Sequence, residues 1–346
     1  MKNNFFITGM GRSGTTLLEK LLCNHNELSV LSQPIPLLFV DIKKRFLNTL
    51  GIDKYYVLND SINNEDYNLE EFIAFLKTFK YKTGEIHRIF EKMTTFSGQL
   101  TSVDYSNFDN TERSFLELFL KVNRENAHNI NAKYFGSKEI LCEEFMPHFI
   151  ANGIKVLIIV RDPRDVLTSV NYPNSTKFLG EKKPSLFVLR SWRKSIDFIK
   201  AYQHNSDLIY LKYEDLILKT EETLNKVTEF LGVGKFPVNH FKDGILNQKG
   251  EIWKSNTSSN VNSVKISSQS IGSYKTKLSK SEIAYTEAIC YKEMSYFNYK
   301  TTITMEDRAE IIKSFKDKDI PVQVELPKNY SSLLENISLE ISRFLK

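Results

Sequence analysis

The chain has 346 residues, 41% of them hydrophobic, 26% charged, with a formal net charge of +5, which is enough apolar material for the core of one large enzyme-sized domain. Three cysteines without a C-x-x-C pair exclude a disulfide framework and a cysteine zinc site, and six histidines without H-x-x-x-H or H-E-x-x-H spacing argue against a metal centre. The mild positive charge suits a polyanionic small ligand; with no basic arm carrying interleaved aromatics, nucleic acid is not expected as a partner.

Phe5 to Leu22, FFITGMGRSGTTLLEKLL, reads as a strand, a glycine-rich turn and the first turns of a helix. Such a turn lets successive backbone N–H groups converge on an anion, and the helix adds unpaired donors and the positive end of its dipole. Against the nucleotide-binding pattern G-x-x-x-x-G-K-[ST], Gly9, Gly14 and Thr16 are in place, but Thr15 stands where the lysine belongs. That lysine serves a β/γ-phosphate pair, so its loss argues against ATP or GTP hydrolysis. The cation comes earlier, at Arg12.

Leu28 to Leu31 reads as a second strand, leading through Ser32-Gln33-Pro34 to an apolar stretch around Pro36 to Leu50. From Ser61 to Ile130 the segment is aromatic-rich, with helical runs near Leu69 to Phe79, His87 to Phe96 and Thr111 to His128. It interrupts the strand and helix alternation, as an insertion over the C-terminal edge of a doubly wound sheet does when it builds a substrate wall. Alternation resumes with Lys133 to Ser137, Glu143 to Ala151 and Ile154 to Val160; the last, IKVLIIV, has the unbroken apolarity of a strand covered on both faces. It runs into Arg161-Asp162-Pro163-Arg164-Asp165-Val166, where Asp162 suits an N-cap and Pro163 a first helical position. Ser169 follows about two turns along that helix, on the face that looks back at the strand end.

Pro184 to Asn205 reads as a long helix. Leu208 to Gly232 reads as a strand, a Tyr-Glu-Asp-Leu turn at Tyr213, and an amphipathic helix with Leu224, Val227, Phe230 and Leu231 on one face and Gly232 at its end. Gly232 to Leu278, rich in Gly, Ser and Asn, reads as a covering loop whose length points to function, and it contains Ser270-Ile271-Gly272-Ser273-Tyr274-Lys275. Helices are expected near Ser281 to Glu293, Ile303 to Phe315 and Tyr330 to Leu345. The last two form a C-terminal extension, 301–346, packed on a domain of residues 1–300.

The cradle G-x-R-S-G-T-T, the R-D-P-R-D-V element with its serine, Y-E-D-L and the G-S-Y-K loop resemble the sulfotransferases that use 3′-phosphoadenosine 5′-phosphosulfate, PAPS, over roughly Phe5 to Met294. The resemblance implies an α/β fold: a P-loop-like parallel sheet flanked by helices, with the helical insertion 61–130 over the acceptor site. It implies that Gly11, Arg12, Ser13, Gly14, Thr15 and Thr16 form the 5′-phosphosulfate loop. Arg161 and Ser169 match the pair that binds the 3′-phosphate, where arginine's planar fork donates two parallel hydrogen bonds. Tyr213 and Lys275 match residues that reach the nucleotide, although Ser273 stands where the family loop carries an arginine. Lys138, in FGSKEI, matches a family lysine that reaches the active site, so Arg12 and Lys138 are the expected catalytic cations. Many relatives hold a glutamate before a proline after the first helix. Here that residue is Gln33, which cannot take a proton but can orient an acceptor hydroxyl or a sulfonate oxygen. Glu139, Glu143, His148 and His87 are eligible bases by type.

The implied activity is transfer of a sulfonate from PAPS to a hydroxyl or amine of a carbohydrate, glycolipid or small-molecule acceptor, with no metal. Two other readings stay open: a P-loop kinase with Arg12 in place of lysine and Asp162 holding a metal, and a PAPS-binding protein whose catalysis Gln33 has impaired. No apolar run is long enough for a signal-peptide core or a membrane span, so a cytoplasmic enzyme is expected.

Overall fold

The first apolar run forms β1 (Asn4–Thr8), and the glycine-rich turn leads into α1 (Thr15–Cys23). β2 (Leu28–Ser32) and α2 (Pro36–Thr49) follow, the helix starting on a proline whose missing N–H has no partner to lose there. The insertion supplies α3 (Leu69–Thr78), β3 (Lys80–Tyr81), α4 (Thr83–Thr94), β4 (Arg113–Ser114) and α5 (Phe115–Glu125). β5 (Tyr134–Lys138), a 3₁₀ turn at Glu143–Phe145, α6 (Met146–Ala151), β6 (Lys155–Val160), α7 (Pro163–Asn171) and α8 (Ser185–Tyr202) restore the alternation. β7 (Leu208–Lys212) then leads to α9 (Tyr213–Leu218) and α10 (Thr220–Leu231). The expected covering loop carries the short helix α11 (Tyr274–Lys277), and beyond it lie α12 (Lys280–Ile289), α13 (Tyr291–Tyr296) and α14 (Arg308–Ser314). This computed structural model describes residues 3–52, 57–59, 68–94, 101–106, 108, 111–173, 182–237, 240–253 and 266–317, so the expected helix at Tyr330 to Leu345 lies outside it.

Five strands pair in parallel in the order β2-β5-β1-β6-β7. Parallel pairing demands crossovers, so helices cover both faces and successive side chains feed two cores. Phe5 and Ile7 of β1 join the residues of α1, α9 and α10 on one face, while Phe6 joins the insertion and α8 on the other. There the Phe6 ring lies 5.7 Å from Phe39, 5.8 Å from Phe119 and 4.7 Å from Phe149. These contacts fasten α2, α5 and α6 to the sheet, at about 1.5–3 kcal/mol for each buried ring.

Several elements differ from the sequence expectation. The insertion is not wholly helical: β3 and β4 pair antiparallel, Lys80 against Ser114 and Tyr81 against Arg113, a ladder too short to leave an alternating pattern. The turn expected at Tyr213 is the short helix α9, divided from the expected amphipathic helix α10 where Lys219 adopts φ −135° and ψ 48°. The one expected over Ser281 to Glu293 divides at Cys290. The helix expected from Ile303 starts only at Arg308, because Asp307 accepts from the Thr304 backbone and hydroxyl and makes a turn first. α14 packs on α12, with Phe315 stacked 3.9 Å from Tyr285 and Arg308 Nε donating to Ala288 O at 2.8 Å. Among the described residues no helix is long and apolar enough to cross a membrane.

Candidate active site

β1, β5 and β6 all end at one edge of the sheet, and the turn after β1 closes over it. Gly9 has φ 141°, and a Cβ there would sit 2.6 Å from the Ile159 carbonyl of β6. Gly14 has φ 100°, and its Cβ would meet the Tyr213 ring at 2.3 Å. Only glycine combines that backbone with that clearance. Among the described residues no side chain caps α1, which leaves its first-turn N–H groups as donors towards the loop. Arg12 at φ 73° and Gln33 at φ 45° are also left-handed, a conformation that costs a non-glycine residue about 1–2 kcal/mol. Such strain gathers where side chains must be aimed.

The cap expected at the end of β6 is present. Asp162 accepts from Arg164 N at 2.9 Å, and Trp192 Nε1 holds the Arg161 carbonyl at 2.8 Å. The Arg161 guanidinium, thereby fixed, donates through Nη1 to Arg12 O at 3.1 Å and through Nη2 to Ser270 O, and it lies 4.5 Å over the Tyr213 ring. Tyr213 and Ser270 share a hydroxyl hydrogen bond of 2.6 Å. Arg12 Nε donates to Ser169 Oγ at 3.1 Å. Residues 12, 161, 169 and 213, read from three separate motifs, thus form one cluster. Burial, and next the Arg161 charge, lower the pKa of Arg12, so two cations stand together where an added anion relieves both desolvation and repulsion.

The covering loop returns to this cluster by a tie that the motifs did not disclose. The buried Asp165 carboxylate accepts from Gly272 N at 2.7 Å, Ser273 Oγ at 3.0 Å and Tyr274 N at 3.1 Å. Burial raises its pKa despite the nearby Arg161 and the two backbone donors. Its one sequence signal was position: an acid one helical turn before Ser169. Lys275 is exposed, while Ser270, Gly272, Ser273 and Tyr274 tie the loop to Arg161, Tyr213 and Asp165.

The donor set fits phosphate. The buried Ser13 hydroxyl and Arg161 Nε have no hydrogen-bond partner among the described residues, an expense that an acceptor-rich anion would remove. Thr15 is buried and Gly11 and Thr16 half-buried at the same turn.

Lys138, buried at the end of β5, donates to Gln33 Oε1 at 2.9 Å, and Gln33 N returns a bond to Lys138 O at 2.8 Å. Burial lowers the pKa of Lys138 against the pull of Glu19 and Glu139. Glu139 accepts from Ile35 N at 2.9 Å, and burial pushes its carboxyl up to about 8. The other eligible bases have different surroundings. Glu143 is bound to Lys194 at 3.2 Å and to the Ser195 hydroxyl. His148, on α6, is pushed down to about 4 by burial, with Lys77 as its charged neighbour. His87, on α4, lies against Tyr105 with ring centroids 5.8 Å apart. Beside Gln33 runs a narrow slot, which α4 and residues 101–103 of the insertion close.

A family model described as "Sulfotransferase domain" matches residues 2–298. The chain belongs to the sulfotransferase domain family. It is similar to the 3-beta-hydroxysteroid sulfotransferase and the 3-alpha-hydroxysteroid sulfotransferase of Cavia porcellus, each 28% identical over 99 residues, 25% of this chain and 34% of the relative. The chain spans about a third of the length of these curated relatives. Among solved structures it is similar to the sulfotransferase domain from the curacin biosynthetic pathway, with TM-score 0.48 and 18% identity over 87% of this chain and 99% of that one. It is also similar to mouse sulfotransferase SULT7A1 complexed with PAP, with TM-score 0.41 and 11% identity over 91% and 90%.

In this sulfotransferase domain Asp162, the acid that a kinase would need for a metal, is committed to structure. Arg164 binds its two oxygens at 3.0 Å and 2.6 Å, and also reaches Glu287. Among the described residues no group of three or more His, Cys, Asp or Glu side chains is placed to hold a metal ion.

Proposed function

We propose that the chain is a PAPS-dependent sulfotransferase that acts, without a metal, on a hydroxyl or amine of a carbohydrate, glycolipid or small-molecule acceptor. The observation that carries this reading is the cluster of Arg12, Arg161, Ser169 and Tyr213 beside an uncapped helix N-terminus. PAPS, when bound, supplies a sulfonate whose bond to the 5′-phosphate oxygen breaks as its bond to the acceptor forms, the electron pair staying on the phosphate and the acceptor proton being released. Gly11 to Thr16 would hold the 5′-phosphate end through backbone N–H groups and the Ser13 hydroxyl, with Arg12 countering the charge that gathers on the leaving oxygen. Arg161 and Ser169, with Tyr213 stacked beneath the guanidinium, would hold the 3′-phosphate. Lys138 places an ammonium beside Gln33, which orients the acceptor. Insertion 61–130 serves as the acceptor wall, and 301–346 as an extension of the domain. The described cysteines are unpaired thiols, which suit a reducing compartment such as the cytoplasm.

The test is formation of 3′-phosphoadenosine 5′-phosphate, PAP, from PAPS with a broad set of hydroxyl and amine acceptors. Arg12→Ala should lower kcat about 10²–10³-fold, as loss of one preorganised donor to developing charge does. Tight nucleotide binding with no turnover on any acceptor would favour the impaired reading of Gln33 instead.

A further inference from the structure

At the end of the sheet opposite the cradle, where β1 and β5 begin, Asn4 pairs with Phe135. A five-residue strand separates this end from the glycine-rich turn, a distance of about 15 Å. Here α5 and the link into β5 enclose a groove of about 550 Å³, a size that suits a small organic ligand. Leu120, Ala132 and Phe135 give it an apolar lining, and Ile130 beside them is left 81% exposed.

The charged lining is four cations to one acid: Arg113, Lys121, Arg124 and Lys133 against Glu117. The acid is spent on the first turn of α5, where it accepts from Ser114 N at 2.7 Å and Ser114 Oγ at 2.9 Å. Lys121 pairs with Glu125 and lies 4.9 Å over the Phe108 ring. Arg124 and Lys133 have no carboxylate partner among the described residues. Arg124 lies 5.5 Å over the Phe135 ring, and Lys133 Nζ donates to the Gly232 carbonyl, a neutral partner that leaves its charge in place. Asn3, Asn4 and Asn131 add uncharged amide donors.

We propose that this groove is a second ligand site, for a small phosphate monoester with an apolar body, the body lying on Leu120, Phe135 and Ile130 and the phosphate between Arg124 and Lys133. A phosphate monoester carries close to two negative charges at neutral pH, which two cations without an acid can meet, and arginine's planar fork can take two of its oxygens. Both cations are exposed, so an ion pair with either is worth little by itself. Water leaving the apolar lining supplies the rest of the binding. An inorganic anion leaves that lining wet, and an uncharged body leaves the cations unmet, so neither half should bind well alone. The site lies away from the cradle and stands whether or not the donor is PAPS.

The experiment titrates 1-naphthyl phosphate, 1-naphthol and inorganic phosphate into the full chain by calorimetry. Naphthyl phosphate should bind at least tenfold more tightly than either of the others. Arg124→Glu and Lys133→Glu should each weaken it about tenfold or more, while leaving PAP affinity and turnover as in the wild type. Arg161→Ala, which removes the fork at the cradle, should leave naphthyl phosphate binding unchanged. Arg124→Ala is the second variant should a charge reversal fail to fold, with the same direction expected. Naphthyl phosphate binding that survives the Arg124 and Lys133 variants, or that is lost in Arg161→Ala, overturns the proposal, as does inorganic phosphate binding equally well.

Discussion

Gly14→Ala tests the cradle at its tightest point. The backbone there has φ 100°, so an alanine is held left-handed, at about 1–2 kcal/mol. Its methyl would also lie 2.3 Å from Tyr213 Cδ2, 3.0 Å from Cε2 and 3.3 Å from Ile159 Cδ1. The buried Tyr213 ring must move, and forced overpacking of this kind costs about 1–3 kcal/mol. Together the loss is about 2–5 kcal/mol, a fall in Tm of roughly 3–7 °C for a chain of this size. The ring also carries the Arg161 guanidinium, so PAP affinity should fall with stability. Urea unfolding of wild type, Gly14→Ala, Tyr213→Ala and the double variant separates the two parts. With the ring gone only the backbone strain remains, so the two changes should couple by about 1–3 kcal/mol. An unaffected Gly14→Ala protein would refute both parts, and an equal loss in the Tyr213→Ala background would refute the steric one.

Gln33→Ala should cost about 1–3 kcal/mol in kcat/KM and leave the pH–rate profile in place, as expected of an orienting amide, whereas Gln33→Glu should not raise activity. A large gain in Gln33→Glu, with a new acid limb in the profile, would show that the site wants a carboxylate there. For Glu139, a folded-state pKa of about 8 lies above the unfolded value of about 4.3. Between those pH values the native state keeps a proton that the unfolded chain has lost, so stability falls as pH rises from 5 to 8 and levels above. Glu139→Gln keeps an acceptor for Ile35 N and should remove that slope. Urea midpoints from pH 5 to 9 with the same slope in both proteins would contradict it.

The cradle and the Arg161 helix were legible because each is a local strand, turn and helix, whose caps and glycines sit a few residues apart. Arg161 and Ser169, paired by the family resemblance, lie within one such local element. Gln33 and Lys138 each match a family position, but their hydrogen bond joins residues 105 apart, at the ends of β2 and β5. Only the parallel register brings them level, and register is invisible in one sequence. Asp165 was passed over for a similar reason: its partners Gly272, Ser273 and Tyr274 lie in a loop with no periodicity to locate it. Lys275 comes from the match of its loop to the family's Gly-x-x-Lys pattern, and in this structure it is exposed. The short β3 and β4 and the helix breaks at Lys219 and Cys290 carry no propensity signal of their own, since tertiary packing sets them.

The central claim is that Arg12, Arg161, Ser169 and Tyr213 hold a nucleotide with separate 3′- and 5′-phosphates, and a thermal shift titration with PAP measures it most directly. PAP at about one hundred times its dissociation constant should add about 2.7 kcal/mol of stability without magnesium. ATP, which lacks the 3′-phosphate, should add less with or without magnesium, and Arg161→Ala should lose most of the PAP effect. A shift with ATP that requires magnesium and exceeds that of PAP, or a full PAP shift in Arg161→Ala, would contradict the account.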